Sequence, residues 1–74
     1  MNLDTRDIAI IAKLIDELSA EIDLHYEDTD LHGVADSIAV LRQGAELLSK
    51  FGGVVPDACL HIQARYEKTV GGVN

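Results

Sequence analysis

Tryptophan is absent from this 74-residue chain, cysteine, proline and methionine occur once each, and the aromatic residues are Tyr26, Phe51 and Tyr66. Each shortage excludes something. A lone Cys59 cannot form an intrachain disulfide, which rules out the disulfide-stapled scaffolds of small secreted proteins and fits a reducing compartment. Paired cysteines and a His-Glu-x-x-His pattern are missing, so the strongest zinc signatures are missing as well. Bases are scarce: six Lys and Arg face thirteen Asp and Glu, and the net charge of −7 repels a polyanion. No apolar run approaches the roughly 20 residues that span a bilayer. The stretch from Ile8 to Ile15 is interrupted by Lys13, and the residues before it are acidic where a signal peptide is basic. A cytoplasmic protein without membrane contact is expected.

Aliphatic residues are present in sufficient number. Leu, Ile, Val and Phe fill 23 positions, above the roughly one-fifth below which a charged chain stays disordered. One small domain follows, because a chain this short cannot support two cores. A core of this size is marginal, and with disulfides excluded the natural supplements are a metal or a partner chain.

Helical spacing runs through nearly the whole sequence. Ile8, Ile11, Ile15, Leu18 and Ile22 step by three and four, with Ile10 and Leu14 widening the seam, and predict a first helix over about residues 5–26. Asp4 with Asp7 three residues on forms a capping-box start. Leu31, Val34, Ile38, Leu41, Ala45 and Leu48 repeat the pattern over about 31–51, with Asp30 as the expected N-cap and Gly52 as the expected C-terminal stop. The nine-residue step from Ile22 to Leu31 breaks the register, so a hairpin is expected instead of one long helix. Pro56 and Asp57 start a third helix over about 56–70, with Cys59, Ile62, Tyr66 and Val70 on one face, and the tail from Gly71 to Asn74 is expected to fray. The fold class is all-α: an antiparallel hairpin and a shorter third helix in a small three-helix bundle completed by self-association.

A second apolar stripe on helix 2, Val40, Gly44, Leu47 and Phe51, is the expected self-association surface unless helix 3 covers it. Gly44 costs about 1 kcal/mol of helix propensity relative to Ala, which close approach of a neighbouring helix would explain.

Motifs for chemistry are weak. Asp28-Thr29-Asp30-Leu31-His32-Gly33 has the outline of an EF-hand opening, but the closing glutamate is replaced by Ala39 and Leu31 belongs to the helix 2 seam. His25 falls on the helix 1 seam after Ile22, where it would close the hairpin core. His61 falls on helix 3, away from that corner. Helix 2, residues 51–55 and helix 3 outline a helix-turn-helix with His61, Gln63, Arg65 and Lys68 on its second helix, and the acidity opposes it. Cys59 and His61, two apart on a helix, point to different faces, so Cys59 reads as a small buried residue. Neither a catalytic constellation nor a cofactor or metal site is expected.

Charge is the informative feature. Residues 1–36 hold ten acids against Arg6 and Lys13, whereas residues 37–74 hold three acids against four bases. From Asp16 to Asp30 seven acids follow one another with no base between them. Carboxylates gathered where they repel suit a surface for a basic partner, and Asp23, Glu27, Asp28 and Asp30 are the expected partner-binding residues. The functional expectation is a non-enzymatic interaction module that modulates or inhibits a basic or nucleic-acid-handling protein, a profile shared with small inhibitors of phages and mobile elements. The alternatives are an accessory subunit of a larger complex and a metal-responsive helical module.

Overall fold

The computed structural model describes residues 4–71, which form three α-helices joined by a 3₁₀ segment and a short turn, with no strand among the described residues. Helix α1 spans Thr5–His25, the 3₁₀ segment Asp28–Val34, α2 Ala35–Lys50 and α3 Asp57–Gly71. The side chain of Val70 and the tail after Gly71 lie outside the described residues. No described helix is long and apolar enough to cross a membrane.

The helix ends follow from local chemistry. At the start of α1 the Asp4 carboxylate accepts from the Asp7 backbone N–H at 2.9 Å, and the Asp4 N–H donates to Asp7 Oδ2 at 3.4 Å, completing the expected capping box. At the end of α2, Gly52 adopts φ +81°, a left-handed conformation that costs glycine nothing. This turn lets the Gly53 N–H reach Leu48 O at 2.7 Å and the Gly52 N–H reach Ser49 O at 3.2 Å, the paired bonds of a Schellman motif. Pro56 sits one place earlier than a first-turn proline: its carbonyl accepts from Cys59 and Leu60, and Asp57 opens α3.

The start of α2 differs from expectation. Residues 28–34 wind as a 3₁₀ helix, α2 begins at Ala35, and its cap position is Val34 with no side-chain cap, so Asp30 is not the N-cap. With three residues per turn, positions three apart eclipse one another, and Asp28, Leu31 and Val34 fall on one face. Leu31 on that face is completely buried. The tighter winding lets the connection turn inward without abandoning Leu31 as a core residue.

The core comprises Ile15 and Ile22 from α1, Leu31, then Ile38, Leu41, Ala45 and Leu48 from α2, and Cys59 and Ile62 from α3, with Ile8, Ile11, Ala12, Val34, Val55 and Tyr66 packed on its edge. The α2 seam is thus as the spacing predicts. On α1 the buried line is Ile15, Ser19, Ile22. Leu18, Ile10 and Leu14 are exposed, and His25 is exposed too. A third helix causes this rotation: α1 packs against α3 as well as α2, so its inward face lies between the two partners instead of pointing at α2 alone. Close approach explains Gly44, where a Cβ would lie 2.7 Å from Ile15 Cδ1.

Ser19 is fully buried and its Oγ has no hydrogen-bond partner. An orphan hydroxyl costs about 1–3 kcal/mol of desolvation, and Ala is the better helix former. Ser19→Ala should therefore raise stability by about 1 kcal/mol in urea denaturation, although it removes a core atom. Gly52→Ala should lower it by about 1 kcal/mol in the same experiment, because a Cβ is strained at positive φ.

Candidate functional site

The four acids singled out by the sequence, Asp23, Glu27, Asp28 and Asp30, gather where α1 ends and the 3₁₀ segment begins. They divide into two pairs. Asp23 and Asp28 are tied to Arg65 of α3, a base remote in sequence. Arg65 Nη1 donates to the Asp23 carboxylate and, at 3.1 Å, to the Asp23 carbonyl. Its Nε and Nη2 both reach Asp28 Oδ1, at 2.9 and 2.7 Å, and Nη2 also donates to Tyr26 O at 3.0 Å. One guanidinium thus binds two carboxylates and two carbonyls at the end of α1, where the last carbonyls of a helix have no partner within it. Hydrogen bonding to Asp23 first, and to Asp28 second, holds the Arg65 guanidinium above its ordinary pKa. A raised pKa means stability present below the ordinary arginine range and lost only at strongly alkaline pH, so this group adds no pH dependence near neutrality.

Glu27 and Asp30 are different. Both are exposed and neither takes part in a salt bridge among the described residues. Glu27 is the extended cap residue before the 3₁₀ segment and Asp30 lies on a different face from Asp28 and Leu31, so Arg65, which approaches from α3, meets Asp28 alone of the three connecting acids. Sequence reasoning names Arg65 only within the helix-turn-helix outline and misses its pairing with Asp23 and Asp28. The signal was present only as a base on a helix face otherwise committed to packing, and nothing local connects it to acids about forty residues earlier.

The histidines take other places than expected. His25, instead of closing the core, pairs with Glu21 Oε2 at 3.1 Å on the surface. His61 lies beside the acidic corner, 3.4 Å from Asp23 Oδ1, because α3 folds back along α1. Even so, no group of three or more His, Cys, Asp or Glu among the described residues has an arrangement that could hold a metal ion. Asp28, the first position of the EF-hand-like stretch, is engaged by Arg65, and Leu31 plugs the core.

Cys59 is fully buried, as expected of a small apolar residue; its Sγ approaches Leu41 O at 3.8 Å and accepts from Gln63 Nε2 at 3.1 Å. The stripe on α2 is not covered by α3. Val40 and Leu47 are exposed, Gly44 and Phe51 half-buried, and the stripe borders α1.

Removing the Arg65 clamp should loosen α3 from the end of α1. Arg65→Met keeps most of the apolar stem and should cost about 1–2 kcal/mol in thermal or urea denaturation, a discounted value because Asp28 is largely exposed. Arg65→Lys should recover only a minor part of this loss, since a single ammonium cannot span both carboxylates and both carbonyls.

The chain matches no protein-family model, no curated protein and no solved structure.

Proposed function

We propose that the chain is a non-enzymatic protein-protein interaction module that presents the acidic connection between α1 and α2 to a basic surface on a partner protein, and modulates or inhibits that partner. The observation that carries this reading is the state of Glu27 and Asp30: exposed, without a cation partner among the described residues, and on a segment held by buried Leu31 and the Arg65 clamp. Carboxylates free of internal partners but held on an ordered backbone bind at a lower entropic cost than those on a loose loop. Asp23 and Asp28 add field more than contacts, because their oxygens already accept from Arg65. Proteins that handle nucleic acid carry basic surfaces and are the class of partner such a field selects.

Reversing only the two free acids tests this without touching the fold. The Glu27→Lys, Asp30→Lys double variant should fold with unchanged or slightly higher stability, since self-repulsion falls. It should associate more slowly than the parent with the protein that the tagged parent captures from its own cell, and the difference should shrink as salt is added. Equal association rates at low salt would reduce the corner to a solubility device and end the proposal.

A further inference from the structure

An unpartnered aliphatic surface lies between α1 and α2, with no residue of α3 in its notch. Ile10 is 52% exposed, Leu14 64% and Leu18 42% along α1, and Val40 59% and Leu47 39% along α2. They are contiguous because Gly44 brings α2 against Ile15, leaving a notch lined by Ile11, Leu14, Leu18 and Val40 with no residue of α3 in it. Together they leave roughly 400–500 Å² of aliphatic surface in water, the size of the largest single patch on a small protein and the kind that is often functional. Exposed Leu24 continues this surface along α1 beside Leu14 and Leu18, whereas exposed Leu60 lies on the other side of α2 with Ala45 and Val55.

The charges around this face are sorted by end. The helices run antiparallel, with Ile15 beside Gly44 and Ile8 near the turn that follows Leu48. By helical register, exposed Arg6, Lys13 and Lys50 flank one end and exposed Glu17, Glu21 and Asp36 the other. The acids at the basic end, Asp4 and Asp7, are bound to the backbone of the helix cap. At the acidic end His25 accompanies Glu21, and Lys13 reaches across to Glu17 at 3.3 Å. Under a two-fold axis through the middle of the face, the basic end of one chain meets the acidic end of the other, and the aliphatic strip meets itself.

We propose that this face is the interface of a homodimer, with a second copy of the chain lying antiparallel across α1 and α2 so that Leu14, Leu18 and Val40 of each copy fill the notch at Gly44 of the other. Two such strips bring the buried total to on the order of 1,000 Å², the size a specific interface must reach. The arrangement is isologous and closes on itself, so it yields a dimer and not a filament. The α1 residues Ile10, Leu14 and Leu18 carry as much of it as the α2 stripe does, and Phe51, half-buried beyond Leu47, lies at its margin. This inference is independent of the acidic connection, which stays on the outer end of each copy.

Sedimentation equilibrium of the full chain tests it. The parent should have twice the 8.0 kDa chain mass at concentrations up to about 1 mM, with a dissociation constant that rises with salt. Leu14→Glu and Val40→Glu, both at exposed positions, should each keep the helical circular dichroism of the parent and raise that constant at least about tenfold. Lys13→Glu with Lys50→Glu in one chain, and Glu17→Lys with Glu21→Lys in another, should each weaken self-association, while an equimolar mixture of the two should restore a dimer. A parent that remains monomeric at about 1 mM overturns the proposal and leaves the face to a different protein. So does a dimer indifferent to both Leu14→Glu and Val40→Glu, and so does one tightened by salt, which would place like ends together. If one glutamate variant fails to fold, the other and the charge-exchange mixture still decide the matter.

Discussion

The bundle depends on how α3 is fastened to the end of α1. Among the described side chains of α3, Cys59 and Ile62 are the completely buried ones, with Tyr66 packed at the edge of the core. Arg65 supplies the rest of the attachment by binding the carbonyls of Asp23 and Tyr26 and the carboxylates of Asp23 and Asp28. The same contact satisfies the carbonyls at the end of α1 and fixes where the 3₁₀ segment begins. One side chain thereby ties three elements together, and Arg42 with Glu67 at 3.3 Å adds only a solvent-exposed pair between α2 and α3.

How far the fold could be read from sequence was decided by whether the controlling interaction was local. The capping box of Asp4 and Asp7, the Gly52 turn and the α2 seam are set within a few residues, and spacing alone places them. The inward face of α1 is not local, because a seam of Ile and Leu at three-four spacing does not say whether one helix or two will lie against it. With two, the buried line rotates onto Ser19, a residue too small and polar to stand out, and Leu18 is displaced to the surface. Similarly, a 3₁₀ segment and the first turn of an α-helix bury the same Leu31, so the apolar pattern did not distinguish them.

The acidic corner was legible as a concentration of charge and not as a structure. Counting charges along the chain gives all four residues equal standing. The fold separates them by the side on which α3 lies: Asp23 and the exposed Asp28 fall within reach of Arg65, and Glu27 and Asp30 do not. Arg65 and His61 approach from α3, and long-range approach of that kind has no signature in a single sequence.

Burial of Cys59 gives the protein a reporter of its own motion. The thiol is the only one in the chain and has no exposed surface, so a thiol-directed reagent cannot reach it while α3 is seated. The rate of alkylation then measures how often α3 lifts from α1 and α2, without any label being introduced. Under conditions where opening and closing are fast compared with the reaction, that rate yields the free energy of the opening. That opening unseats Cys59 and Ile62 from the core together with the Arg65 clamp, so the thiol reports on the attachment of α3 as a whole.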